Sequence, residues 1–140
     1  FAERLIEADL PPEVAAQALD IALLSSRYET AAQSLAPDDA RQDFAAALAR
    51  GVPSEATPTS PVAEAMARGF ARSGATPEHQ ALIDNGRLGE AILDAARELD
   101  QSAGSARDTL SEALATLRAV GLEDTARRAA LQMLLLERLN

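Results

Sequence analysis

The chain has 140 residues, of which 32 are alanine and only four are aromatic, and its formal net charge is −9. That length is enough for one domain with a buried core. Cysteine and lysine are both absent; this excludes thiolate catalysis, disulfides, zinc–thiolate centres, Schiff-base chemistry and a P-loop lysine, and the acidic balance argues against nucleic acid or an anionic membrane as partner.

Alanine is the strongest helix former, and β-branched residues are few, so the expected class is all-α, with about eight or nine helices. Residues 2–9 form a first short helix, stopped by Leu10-Pro11-Pro12. Pro12 suits the first turn of the next, which runs to about Ser25. Ser26 and Glu29, three apart, have the spacing of a capping box. They open a short helix with Tyr28, Ala31, Ala32 and Leu35 on one face. Pro37-Asp38-Asp39 starts another, with Ala40, Phe44, Ala47 and Leu48 on one side and Gly51 at its end.

Residues 51–61, GVPSEATPTSP, hold three prolines and no periodicity, and are expected to be a long surface loop within a single domain spanning 1–140. Ser60-Pro61 then caps a helix carrying Val62, Met66 and Phe70, and Thr76-Pro77 caps another in the same manner. Gly69 inside the first of these is costly in a helix, and close helix–helix approach is its expected reason. Three apolar stripes follow: Leu88, Ala91, Ile92, Ala95 and Leu99; Ala106, Leu110, Ala113, Leu114 and Leu117, behind a Ser105–Asp108 capping pair; and Leu122, Ala126, Ala129, Ala130, Met133 and Leu134. The breaks between them are short, which predicts antiparallel neighbours.

The segments 81–101 and 116–136 superimpose at a constant offset. Leu82 matches Leu117, Gly86 matches Gly121, Ala91 matches Ala126, Ala95 matches Ala130 and Leu99 matches Leu134. A fainter copy lies upstream around Leu23 and Ala31. Such a period is the mark of stacked helical hairpins. Glycine just past a helix end adopts the left-handed conformation without strain, and the small Ala91 or Ala126 lets the second helix sit close to the first.

Gly86-Arg87-Leu88 with Ala91 resembles the turn of the tetratricopeptide family. Gly121 with Ala126 shares two of its three positions, Glu123 standing where the large apolar residue belongs, and Tyr28, Ala31 and Leu35 are similar to the second helix of that motif. The tryptophan, the small residue and the tyrosine of its first helix are missing, as is its closing proline, and His79 stands at the small-residue position before Gly86. The resemblance implies a right-handed stack of antiparallel hairpins, an α-solenoid that binds a peptide or protein on its concave face, with no catalytic residues to carry over.

The residues offer little chemistry of their own. His79 is the single histidine, in the first turn of its helix, and is expected to be a surface or half-buried side chain; no nucleophile motif and no metal-binding spacing accompanies it. Neither an enzyme nor a cofactor is expected. The irregularly placed threonines exclude an ice-binding face. Glu90, Asp94 and Glu98 fall at i, i+4 and i+8 on one helix: a solvated face, or a row that meets a basic partner. Residues 131–139, LQMLLLERL, are apolar on nearly every side. Leu135 is expected to point outward there and to touch a second subunit or another part of a longer chain.

The sequence thus leads to a non-catalytic protein–protein interaction module. The alternative is a C-terminal helical domain that dimerises, or docks on an upstream domain, through residues 131–139. A basic complement made only of arginine reads as the coding bias of a GC-rich bacterial genome, with cytoplasm and periplasm equally open. A start at Phe1, already in a helical pattern, suggests a C-terminal fragment of a longer chain. No apolar run is long enough to span a membrane.

Overall fold

The computed structural model describes residues 1–102 and 107–136. Among them are nine α-helices and no strand. In chain order these are α1 (Ala2–Glu7), α2 (Pro12–Leu23), α3 (Tyr28–Ser34), α4 (Ala40–Ala49), α5 (Pro61–Ala71), α6 (Pro77–Asp84), α7 (Leu88–Ser102), α8 (Arg107–Ala119) and α9 (Glu123–Leu136), with a single 3-10 turn at Pro53–Glu55. Ser105, Ala106 and residues 137–139 of the sequence reading lie outside the described residues.

Three helix starts follow the sequence grammar. Backbone N–H groups of Gln42, Ala63 and His79 donate to the side chains of Asp39, Ser60 and Thr76, each three residues earlier. At α4 the cap is reciprocal, because Asp38 N–H donates back to the Gln42 side chain at 2.9 Å. The capping box expected at Ser26 and Glu29 does not form. Arg27 is the N-cap and makes no side-chain cap bond. Ser25 works there instead: its hydroxyl donates to the Ala22 carbonyl at 2.6 Å and accepts from Arg27 N–H at 3.0 Å, closing the end of α2.

The helix ends show a regularity that the sequence reading caught only in part. Gly51, Gly86 and Gly121 lie 35 residues apart and have φ of 80°, 73° and 88°. Each N–H donates to the carbonyl three residues back (Leu48, Ile83, Arg118), and the following N–H reaches five back (Ala47, Leu82, Leu117). These are Schellman closures of α4, α6 and α8, satisfying carbonyls that the helix leaves unpaired. The third member, Gly51, was read from sequence only as a stop. It leads into Pro53 and Pro58, which allow a 3-10 turn and no helix at the place where α7 and α9 begin after the other two.

The chain divides into two compact units, residues 1–59 with 127–140, and residues 60–126; the division at Thr59/Ser60 falls inside the proline-rich 51–61 stretch. In the first unit α2, α3 and α4 pack on one another, and the 3-10 turn packs on α4. Every residue from Phe44 to Ala49 is fully buried, so α4 is covered around its whole circumference and not on one side alone. Arg127 of α9 donates to Glu29 at 2.8 Å and to the Ala49 carbonyl at 3.3 Å. Along α9, Ala126, Ala130, Leu131, Leu134 and Leu135 are buried. Leu135 was expected to point outward; it is 7% exposed, and the exposed leucine is Leu136, at 42%. The physical reason is the helical period: 131, 134 and 135 share one face, while 136 has turned past it.

In the second unit α5 packs along α8, α8 along α7, and α7 along α6. The pairing of α5 with α8 joins helices that are not sequence neighbours. Gly69 makes it possible. A Cβ built there would lie 2.8 Å from the Ser111 carbonyl oxygen and 3.0 Å from the Leu114 Cβ. Arg118 reinforces the same contact: it donates to the Phe70 carbonyl and to Glu123, and its guanidinium lies 4.9 Å from the centre of the Phe70 ring. Of the α7 stripe, Ala91 and Ala95 are buried and Ile92 and Leu99 half-buried, but Leu88 is exposed.

Three glycines should therefore respond differently to alanine. Gly69→Ala should destabilise by about 1–3 kcal/mol, because the methyl group meets backbone. Gly121→Ala should cost about 1 kcal/mol through its positive φ, with open space around it. Gly89, helical and with nothing near its missing Cβ, should gain up to about 1 kcal/mol. Denaturant unfolding of the three variants checks the order; a neutral Gly69→Ala would show that α5 and α8 separate more easily than their contact implies.

Candidate functional site

The chemistry-bearing residues gather in the second unit, where α6, α7 and α8 meet. His79 is at the third position of α6, held there by the Thr76 cap. It is 4% exposed, which corrects the expectation of a surface or half-buried side chain. Its Nδ1 lies 2.6 Å from Thr116 Oγ1 on α8, and its Nε2 lies 3.6 Å from Glu98 Oε1 on α7. One imidazole thus touches three helices. A hydroxyl can donate to a bare ring nitrogen or accept from a protonated one, so Thr116 can serve either tautomer.

Beside His79 opens a cleft of about 400 Å³, lined by Glu78, His79, Leu82, Asp94, Arg97 and Glu98 among others. Three carboxylates there face one guanidinium. Asp94 and Arg97 form an ion pair at 3.4 Å. Glu98 is the unusual member. Its Oε2 is buried and has no hydrogen-bond partner among the described residues. Burial pushes its carboxyl above the ordinary value; His79 pulls it down, and the nearby charges of Glu112, Asp94 and Glu78 push it further up.

The row Glu90, Asp94, Glu98 is therefore divided. Asp94 and Glu98 share the cleft. Glu90 pairs with Arg87 through two hydrogen bonds on the open surface, and that partner holds its carboxyl below the ordinary value. Leu135 belongs to the other unit and is buried. Gly86, Ala91, Gly121 and Ala126 take the structural places read for them: both glycines at positive φ, both alanines fully buried.

Sequence reasoning missed Thr116. A signal existed, since Thr116 stands three residues after Ala113, on the apolar side of its own helix, where a polar side chain needs a partner. The arrangement of Thr116, His79 and Glu98 has the types of a hydroxyl–base–acid relay, but the Thr116 residue is fully buried, so its hydroxyl cannot meet a substrate. No cluster of three or more metal-ligating side chains is found among the described residues. No helix among them is long and apolar enough to cross a membrane.

No known family model, curated protein or solved structure matches the chain.

The raised Glu98 carboxyl has a consequence for stability. A group whose folded value lies above its unfolded one favours the fold when protonated, and that contribution is lost as pH rises through the folded value. Relative to Glu98→Gln, which carries no such charge, the wild type should lose melting temperature as pH rises from the ordinary carboxylate range toward neutrality. Parallel melts of the two proteins across that interval check it. Identical pH profiles would mean that Glu98 is as well solvated in the fold as in the unfolded chain.

Proposed function

We propose that this chain is a non-catalytic binding module of α-solenoid type, and that the cleft beside His79 receives a basic side chain of a protein or peptide partner. The cleft carries this reading: Glu78, Asp94 and Glu98 converge on it from two helices, with Arg97 as their one cationic neighbour. A guanidinium or ammonium group entering there meets acceptors that its own hydration would otherwise supply, in a setting partly withdrawn from water. The solenoid element is supported by the 35-residue recurrence of Gly51, Gly86 and Gly121 with the same turn bonds, and by the resemblance of 86–91 to the tetratricopeptide turn. The α5–α8 pairing is a departure from a strictly consecutive stack. The burial of Thr116, which keeps its hydroxyl from solvent, supports a non-catalytic role.

The rival reading, association through residues 131–139, has less apolar surface to work with among the described residues of that stretch. Leu131, Leu134 and Leu135 are buried within the chain, and Leu136 is the exposed leucine among the described residues of that stretch.

The test is titration of the protein with short arginine-containing peptides at low salt, against glutamate-containing controls. Basic peptides should bind and acidic ones should not. Asp94→Asn with Glu98→Gln should weaken binding by about fivefold or more, as loss of partly buried charge pairs does. Binding that ignores both substitutions and the salt concentration would place the partner surface elsewhere.

A further inference from the structure

We propose that Asn85 is a site of spontaneous covalent modification: its side-chain amide is lost by attack of the Gly86 backbone nitrogen, and opening of the turn between α6 and α7 controls the reaction.

The sequence singles out this pair. Asparagine stands only at 85 and 140, and only Asn85 precedes a glycine. Asparagine is a thermolabile residue. One methylene separates its carboxamide from the main chain, so the next backbone nitrogen can close a five-membered ring on Cγ. A glycine in that next place has no Cβ to crowd the attack. The Gly86 nitrogen gives up its proton to water and bonds to Asn85 Cγ; the Cγ–Nδ2 bond breaks and ammonia leaves. Water then opens the cyclic imide. Opening at the side-chain carbonyl gives aspartate. Opening at the main-chain carbonyl gives isoaspartate, with the chain rerouted through Cβ and Cγ. Water is the one co-reactant, and no group is oxidised or reduced. Asn85 and Gly86 are both exposed, and open space surrounds the position of a Gly86 Cβ, so water reaches the pair.

The folded turn holds every reacting part away from the others. Asn85 has ψ of 12°, which nearly eclipses the Gly86 nitrogen with the Asn85 nitrogen. The tetrahedral Cα places Cβ about 120° from there around the Cα–C bond, so the ring cannot close until ψ rotates by that amount. Gly86 N–H donates to the Ile83 carbonyl at 3.0 Å, and Asn85 Nδ2 donates to the Ala81 carbonyl at 2.7 Å. The same rotation pulls Arg87 N–H off the Leu82 carbonyl, now 2.8 Å away. The reaction therefore runs only from an opened turn. Gly51 and Gly121 close their helices with the same bonds, but Arg50 and Val120 precede them and carry no amide to lose.

The product does not restore the turn. Aspartate at 85 adds a negative charge beside Asp84, at the helix end where carbonyls already point outward, and it lacks the donor to Ala81. Isoaspartate adds a carbon to the main chain, so the paired bonds of the closure lose their register. The turn joins the helix of His79 to the helix of Glu98, and the change loosens that joint permanently.

The experiment incubates the folded chain, and the same chain in denaturant, at mildly alkaline pH. Peptide mapping by mass spectrometry follows aspartate and isoaspartate at 85. Asn85 should convert in the unfolded chain, and about tenfold or more slowly in the folded one. That slowing should match the hydrogen-exchange protection of the Gly86 amide, because both report one opening. Asn85→Gln, whose amide needs a six-membered ring, should stay unconverted in both. Asn85→Asp, the product made directly, should fold and lower the Gly86 protection by about two- to fivefold, the scale of a misplaced charge at a helix end. An Asn85 that survives in the unfolded chain overturns the site. Equal rates in folded and unfolded protein overturn control by the turn. Unchanged Gly86 protection in Asn85→Asp overturns the permanent loosening.

Discussion

Close approach of α5 and α8 is the constraint on which the second unit depends. Alanine and glycine make the contact thin: Gly69 meets the Ser111 backbone directly, and Ala65, Ala113 and Ala115 are buried without adding bulk. Such an interface contributes little area per residue but leaves little freedom, since backbone cannot move aside as a flexible side chain can. Arg118 then spans from the end of α5 to the start of α9, with its guanidinium over the Phe70 ring. The same helix presents Thr116 to His79. A shift of α8 would disturb both the cation contact at Phe70 and the floor of the acidic cleft.

Much of this was legible in the residues. Helical spacing, the Asp39, Ser60 and Thr76 caps and the positive-φ glycines are local properties, and a local rule finds them. The failures come from distance. Ser25 and Ser26 both suit a cap, and which one is used depends on how α2 ends. His79 and Thr116 are 37 residues apart, and a lone histidine in a first turn has no local mark of burial. Leu135 shows a different limit: when five of six successive residues, 131–136, are apolar, composition cannot say which arc of the helix faces inward. The expected row of carboxylates was real as a helix face, but Glu90 is balanced by an arginine three residues before it, a pairing that its spacing already permits.

Two buried polar clusters among the described residues differ in character. In the first unit Gln42 donates to the Ala16 carbonyl and to Asp20 while accepting from Asp38, and Arg41 pairs with Asp20 at 2.8 Å. That cluster joins α2 to α4 through one amide-to-carbonyl bond, from Gln42 to Ala16, and two bonds to the Asp20 carboxylate. In the second unit the junction of α6, α7 and α8 runs through the His79 ring and the Glu98 carboxylate, one oxygen of which is buried without a hydrogen-bond partner among the described residues. The second junction also borders the cleft.

Arg127 lies against Gly51, where a Cβ would come within 2.3 Å of the guanidinium, and it holds groups from residues 29 and 49. Its unit is assembled from the two ends of the sequence, whereas the other is one uninterrupted stretch. Synthesis of this stretch therefore finishes the second unit before it finishes the first. Residues 1–59 are made before 127–140, the rest of their unit, whereas 60–126 can close its own contacts as a finished piece. Within this stretch α4 is synthesised well before Arg127, which donates to the Ala49 carbonyl at its end.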